Sequence, residues 1–458
     1  MLTAGASGRP AVRDTGGDGM TRRRYAVVGL GARAELYTRA LAGRYAEWAD
    51  LAAFCDVNRT RMAAHNRRLA AELGRPAVPA YGAEAFATML ERERVDVVIV
   101  CTTDATHDAY IVAALEAGRD VVTEKPMTID ARRAERILAA QERSGRTVTV
   151  AFNYRYNPVH ERVAELLASN AIGDVGSLHF EWLLDLRHGA DYFRRWHRDK
   201  AVSGGLLVHK ATHHFDLVNW WLGSAPQSVY AQGRLFFYGQ DNGRRRGLAR
   251  AYARAHAAPE AAGDPFALRL DASPWLRELY LDGEHEDGYQ RDRNVFAPGI
   301  TIEDDLAVLA RYASGATMTY HLTAYAPWEG YRVAFNGSAG RLELLVEESA
   351  FADPRPEAGD SAVLHGVDAT GAEGVRRLTL HPFWEPPREV PLPRGAGGHG
   401  GGDERMLAAL LRPPVPDPLG RRATAVDGAR SLVLGLAANR SLETGAPVRA
   451  EDVLTSSP

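Results

Sequence analysis

The 458-residue sequence has few of the features that mark specialised protein classes. It carries only two cysteines, Cys55 and Cys101. One disulfide is arithmetically open, but no disulfide framework is. Each cysteine borders an apolar, strand-like run and reads as a buried thiol in a reducing, cytoplasmic setting. No apolar run approaches the roughly 20 residues of a membrane-spanning helix, and the amino terminus has no hydrophobic signal core, so the chain is not read as a membrane protein. Neither sign of charge dominates: 55 Lys and Arg against 58 Asp and Glu leave a formal charge of -3. That balance gives no reason to expect nucleic acid or an anionic membrane as partner. There are no internal repeats. With 45% hydrophobic and 25% charged residues, the composition is that of a globular protein, and the length is more than one typical domain holds.

Residues 1–20, rich in Gly, Ala and Asp, read as a disordered leader. Met20, directly before Thr21-Arg22-Arg23-Arg24, is a second candidate start. From residue 25 onward short apolar runs alternate with helical patterns. Strands are expected at 25–28, 51–55, 95–101, 120–122 and 148–152. Helices are expected from the glycine turn to about 41, then at 59–73, 84–91, 107–117 and 129–143. Such alternation builds a parallel, doubly wound sheet of the Rossmann type. This assigns 21–152 to a dinucleotide-binding domain, 153–401 to a substrate domain and 402–458 to terminal helices packing back on the first.

Gly29-Leu30-Gly31-Ala32-Arg33-Ala34 lies between the first strand and the first helix. In that context Gly29 allows the tight turn, Gly31 lets backbone approach a pyrophosphate, and Ala34 permits close helix–strand packing. The helix amino terminus then offers free N–H groups and a partial positive charge to phosphate. Asp56, ending the second strand, suits an adenosine ribose and repels the 2′-phosphate of NADP, which favours NAD. Arg59 weakens that preference, since arginine recruits such a phosphate. Asp56 as a cap for the next helix is the plainer alternative, a role open to Asn58 as well.

About ninety residues after the turn comes Glu124-Lys125-Pro126, preceded by Cys101-Thr102-Thr103-Asp104-Ala105-Thr106-His107. A lysine at the carboxyl end of a parallel strand sits where such sheets bind ligands. Oxidising an alcohol needs a base for the hydroxyl proton while hydride leaves the carbon. Histidine suits that task by its near-neutral pKa, and a lysine stabilises alkoxide charge.

The GxGxxA turn, the polar loop ending in His107 and the Glu-Lys-Pro triplet together resemble the Gfo/Idh/MocA oxidoreductases. The resemblance continues through Phe152-Asn153-Tyr154-Arg155-Tyr156 and Gly204-Gly205 to His213 and Asp216, covering most of the chain from Tyr25. It implies a Rossmann domain and a carboxy-terminal α/β domain with a large, open, mostly antiparallel sheet, often used to form dimers or tetramers. It implies that Lys125 is the catalytic lysine, that His213 is the general acid/base, and that Thr102, Thr103, His107 and Glu124 line the cofactor cleft. Many members carry an aspartate where His209 stands. Here it is absent and Lys210 is adjacent, which suggests a more cationic site, suited to an anionic or hydroxyl-rich substrate.

Residues 203–222 read as one amphipathic helix carrying His209, Lys210, His213 and His214. The expected substrate contacts are Tyr154, Arg155, Asp185, His188, Trp196, His209, Lys210 and His214, from the aromatic, acidic and basic mixture over 181–198 and this helix. A solvated loop with structural aromatics is the alternative for 181–198. His209 and His213, one helical turn apart, also admit a metal completed by His188, His214 or Asp185. Hydride transfer to nicotinamide needs none, and no metal is expected. A polar insertion over about 239–287 reads as a helical lid or an oligomer contact, and 287–296 as a second polar patch. Further strands are expected at 306–312, 316–323, 331–336 and 340–346. A glycine-rich loop around His399, 395–402, precedes helices at 403–411 and 423–441.

The expectation is an NAD-dependent oxidoreductase acting on a secondary hydroxyl of a sugar, cyclitol or glycoside. An alternative uses transient oxidation and elimination to cleave a glycoside. A second alternative is a non-catalytic dinucleotide-binding sensor, against which Lys125 and His213 both stand.

Overall fold

A parallel sheet forms first. The computed structural model describes residues 22–354, 374–393 and 398–455; the expected leader and residues 395–397 of the glycine-rich loop lie outside them. Arg23–Val28 (β1), Ala49–Cys55 (β2), Ala80–Tyr81 (β3), Val97–Val100 (β4), Asp120–Thr123 (β5) and Val148–Val150 (β6) pair in parallel in the order β6-β5-β4-β1-β2-β3. The central strands are buried along most of their length, as expected where helices cover both faces. Helix Ala34–Ala42 (α1) follows the glycine turn, and Arg59–Leu73 (α2) follows β2 with its amino terminus capped by Asn58.

The second sheet has nine strands: Val175–Asp185 (β7), Pro226–Arg234 (β8), Asp305–Tyr312 (β9), Thr317–Ala326 (β10), Glu329–Gly337 (β11), Gly340–Ser349 (β12), Arg376–Pro382 (β13), Arg388–Val390 (β14) and, from the far end of the chain, Val448–Arg449 (β16). Among the described residues, only β7 and β10 of this sheet pair in parallel, and its other pairings are antiparallel. Alternating burial in β9 and β10 marks one face turned to the helices and one turned outward. The fold is therefore a Rossmann-like domain joined to a domain with a large, mostly antiparallel sheet.

The chain's last segment ties the two together. Ala423–Thr424 (β15) adds an antiparallel edge strand to the first sheet beside β6. Helix Ala425–Thr444 then places Ala429 and Leu432 in the first domain's core and Val433, Leu434 and Ala437 in the second's. At its amino terminus, Thr424 and Asp427 form a reciprocal capping box.

Residues 203–222 are not one helix. They form Lys200–Ser203, Leu206–His209 and Ala211–Leu222. Gly204 and Gly205 separate the first two with φ of +71° and +78°, angles that glycine adopts without a Cβ penalty. A side chain on Gly204 would meet Val208 at 2.7 Å. The break at Lys210 takes His209 out of the helix that carries His213. The segment 181–198 departs from a loop as well: β7 runs into helix Leu186–Arg194.

Candidate active site

The glycine turn is held from three sides. Gly29 adopts φ +85°, and a Cβ there would stand 2.7 Å from the backbone of Cys101 and Thr102. β1 and the loop after β4 therefore meet at van der Waals distance. Asp56 accepts from the Leu30 and Asn58 N–H groups, and burial raises its carboxyl. Beside Gly31, the nearest atom to an added Cβ is the Tyr280 hydroxyl at 3.9 Å. Backbone at Gly31 is thus open to close approach, as pyrophosphate binding requires, and the residues fit a dinucleotide. Arg59 is exposed.

Lys125 follows β5 at the carboxyl edge of the sheet. Its neighbour Glu124 is buried and accepts from the Arg33 guanidinium at 2.6 Å and the Tyr37 hydroxyl at 2.8 Å. Arg33 also reaches Asp403 at 3.1 Å, and His399 stands 2.8 Å from the same carboxylate. Asp403 thereby ties His399 of the glycine-rich loop to the Arg33–Glu124 pair. Burial outweighs the anionic neighbours at Lys125 and pulls its ammonium down to about 8, within reach of a proton acceptor at neutral pH.

The nearest polar partners of Lys125 come from the second domain. Its Nζ lies 3.5 Å from His209 Nε2 and 3.3 Å from the His209 carbonyl oxygen. His209 Nδ1 in turn lies 2.6 Å from the Asp104 carboxylate. Burial drives both groups toward their neutral forms, Asp104 upward and His209 downward. The missing carboxylate is thus supplied by the loop after β4, which the sequence reading treated only as cofactor lining. The signal was present as Asp104 within the Thr102–His107 stretch, but nothing local linked it to residue 209.

His213 is buried, stacks on Tyr154 at 4.4 Å between ring centroids, and has no partner at Nδ1. Its imidazole is held neutral by burial and by the Lys125 and Lys210 cations. Lys210 Nζ lies 4.9 Å from the Trp182 ring centroid and 3.5 Å from the Tyr154 hydroxyl. Trp196 stacks on His197, whose ring contacts His209 at 3.9 Å. His197 and Arg195 are site neighbours that the sequence did not single out.

Several expected substrate contacts are committed elsewhere. Arg155 is buried in a two-pronged pair with Asp216, at 2.8 and 2.7 Å, and also donates to the Gly420 carbonyl. Asp185 caps helix Leu186–Arg194 by accepting from Arg187 and His188 N–H. His188 contacts Glu329 at 2.6 Å and Tyr192 at 3.1 Å. His214 is fully buried, stacked on Trp182 and bonded to the Tyr320 hydroxyl. Arg155 and His214 are thus engaged by buried partners, Asp216 and Tyr320, while Asp185 and His188 fasten the start of helix Leu186–Arg194 and reach Glu329. The ring nitrogens of His107 lie 2.9 Å from the Pro126 carbonyl oxygen and 3.1 Å from that of Thr102. His107 therefore latches the loop carrying Thr102 and Thr103 to the Lys125–Pro126 turn. In the 287–296 patch, Arg291 is buried against Asp191 at 2.6 Å and Asp287 pairs with Arg61.

The alternative metal set is not assembled, because His209 and His213 occupy different helices and His214 faces the core. Among the described residues, Asp104, His197 and His209 bring one donor atom each within 4.8 Å of the others. Lys125 and the Arg195 charge bear on that group. The 2.6 Å contact within it is a hydrogen-bonded acid–imidazole pair.

A Rossmann-like sheet with an open glycine turn, an aspartate ending its second strand and a lysine at the strand ends is the architecture of a dinucleotide-binding domain. The chain matches the description "Oxidoreductase family, NAD-binding Rossmann fold" over residues 23–152 and "Oxidoreductase family, C-terminal alpha/beta domain" over 164–449. It belongs to the Gfo/Idh/MocA oxidoreductase family. The Bacillus subtilis protein YteT, named as an oxidoreductase, is 34% identical over 435 residues, 92% of this chain and 96% of YteT. Inositol 2-dehydrogenase of Rubrobacter xylanophilus is 28% identical over 161 residues, 33% of this chain and 42% of its own length. The crystal structure of aldose-aldose oxidoreductase from Caulobacter crescentus, complexed with glycerol, shares the fold at a TM-score of 0.59 and 18% identity, over 93% of this chain and 99% of that one.

Proposed function

We propose that the protein is an NAD-dependent oxidoreductase that moves hydride to or from a secondary hydroxyl of a sugar, cyclitol or glycoside. The observation that carries this reading is Lys125, next to the Glu124 that pairs with Arg33 of the glycine turn, and backed by the His209–Asp104 pair. The glycine turn, Asp56, Thr102 and Thr103 would hold the dinucleotide. Asp56 supports NAD over NADP, although exposed Arg59 leaves the phosphorylated form the second choice. Bound dinucleotide supplies the hydride acceptor. Neutral Lys125 takes the hydroxyl proton as the C–H bond gives up its electron pair. Lys125 carries the proton as its ammonium, and neutral His209, oriented by Asp104, holds that ammonium through its ring nitrogen and carbonyl oxygen. Neutral His213, with an unpartnered Nδ1, is placed to bind a neighbouring hydroxyl and accept its proton. Tyr154, Trp196 and Lys210 would form the sugar-facing wall.

The printed names of the relatives, an inositol dehydrogenase and an aldose-aldose oxidoreductase, support a polyhydroxylated substrate. The outward face of the second sheet carries a groove of about 400 Å³ lined by His179, Tyr230, Leu309, Thr319 and His321. Its position on the open side of the sheet supports assembly of two or four copies of the chain. Cys55 and Cys101 are free thiols, in keeping with a cytoplasmic enzyme, and no described helix is long and apolar enough to cross a membrane.

A panel of polyols and glycosides with NAD, read by nicotinamide absorbance, tests the reading. NADH formation with at least one member is expected. Glycoside cleavage without net NADH, with solvent deuterium entering the ring, would select the transient-oxidation route. Absence of both reactions, with dinucleotide bound, would leave the sensor reading instead.

A further inference from the structure

The insertion over 239–287 does not project away from the molecule. Its last part lies across the glycine turn. Pro274–Leu276 is one α-helical turn that continues into Arg277–Asp282, wound as a π-helix, and Glu284–Asp287 follows. Leu268, Leu270, Trp275, Leu276, Leu279 and Tyr280 form a small separate core with Ala32 of the glycine turn and Ala64 of α2. Trp275 packs edge-on against His65 at 5.0 Å, and His65 contacts the Leu30 carbonyl oxygen at 3.1 Å.

Polar contacts fasten the same segment at both ends of the β2–α2 corner. Asn58 donates to the Gly283 carbonyl at 2.7 Å. Glu286 accepts from the Arg59 and Thr60 N–H groups at the exposed start of α2, at 2.6 and 2.8 Å. Arg61 pairs with Asp287 and also donates to the Leu279 carbonyl. At the centre, the Tyr280 hydroxyl accepts from the Ala32 N–H at 3.0 Å. No described residue accepts the hydroxyl's own proton, and the ring is 6% exposed.

We propose that residues 268–289 form a clasp over the dinucleotide site, with Tyr280 relaying the Ala32 N–H to a pyrophosphate oxygen, so that cofactor is retained between turnovers. This rests on the dinucleotide reading above and deepens it. An N–H at the start of α1 is a natural phosphate donor; here a phenol stands in front of it with one proton left to give. The clasp is anchored to Asn58, Arg59, Thr60 and Arg61, the residues just after Asp56, so both the pyrophosphate and the ribose side are bordered by it. Opening must part the apolar cluster and the Glu286 and Asp287 contacts together.

The test is cofactor exchange, independent of any substrate. Full-length enzyme is loaded with NADH, chased with excess NAD, and the loss of bound-NADH fluorescence is followed. Tyr280→Phe keeps the ring in its cluster but removes the hydroxyl; Glu286→Gln weakens the rim. Wild type should release NADH over minutes or longer, with Tyr280→Phe at least ~10-fold faster, since the variant loses a hydrogen bond to a charged group. Glu286→Gln should also speed release. Unchanged melting temperatures in the absence of cofactor would show that neither variant acts by unfolding. Rapid release from wild type, unaffected by either substitution, overturns the clasp while leaving an ordinary dehydrogenase reading intact. Failure of NADH and NADPH to bind at all overturns the dinucleotide reading and the clasp with it.

Discussion

Lys125 alone would be an unremarked cation at a strand end. What gives it chemistry is burial beside Arg33 and Lys210, which lowers its affinity for a proton, set against Asp104 and Glu124, which raise it. In the oxidation direction the lysine must be neutral, so kcat/KM should rise with pH through about 8 and level off above it. In the reduction direction the protonated form is needed, and the same limb should fall. Asp104→Asn removes an anion that holds the proton on Lys125, so this limb should move to lower pH, read from the pH profile of the holoenzyme. Lys125→Ala should lower turnover by about 10³-fold or more while changing NADH affinity by no more than a few fold. Retained turnover would remove the lysine from the mechanism. Lys125 was legible because the triplet and its distance from the glycine turn lie within one domain. Its partner was not: Asp104 and His209 are 105 positions apart, and no local pattern announces contact across such a gap.

Two elements decide the site's shape, and both depend on glycine. At the turn after β1, φ of +85° and a Cβ position 2.7 Å from the Cys101–Thr102 peptide leave no room for a side chain. Gly29→Ala should cost about 1–3 kcal/mol in unfolding free energy and sharply weaken dinucleotide binding; denaturant unfolding and NADH titration check the two effects. This element was readable from the sequence, since strand, glycine turn and helix are contiguous. The second element, Gly204-Gly205, was misread as helix interior because the apolar spacing over 203–222 is compatible with one continuous amphipathic run. Positive φ at both glycines ends the first piece of that run, and the further break at Lys210 leaves His209 beside Asp104 while His213 is stacked on Tyr154. Helical spacing left a metal between His209 and His213 as an alternative that was not expected, and the break at Lys210 puts the two in separate helices.

Across the whole molecule, the two domains are joined by buried charge as well as apolar packing. Arg155 follows the first domain and meets Asp216 of the second, with further bonds to Gly420 and Asp427 near the chain's end. Arg155→Ala leaves Asp216, already pushed up to about 6 by burial, without its cation. Stability should fall by about 3–5 kcal/mol, measured by denaturant unfolding. A loss of turnover with unchanged stability would return Arg155 to the substrate site. At the sheet's open face, Leu309, 51% exposed, tests assembly: Leu309→Asp should reduce the mass measured by sedimentation if copies of the chain meet there.

The sequence by itself determined the alternation of strands and helices in the first domain, the glycine turn, Asp56 and the Glu-Lys-Pro triplet. These signals arise from neighbouring residues obeying short-range periodicity and turn geometry. The second domain's sheet was legible in part, where period-two patterning ran through β9 to β12. Only the tertiary structure decided which polar residues face the cleft and which are spent on packing. Arg155 and His214 have the chemistry that a site also uses, and only their buried partners Asp216 and Tyr320 show how they are engaged. Only the tertiary structure, too, brought Tyr280 to Ala32 across 248 positions. The physical reason is common to both: a side chain's role is set by what burial places against it, and burial is a property of the assembled domains.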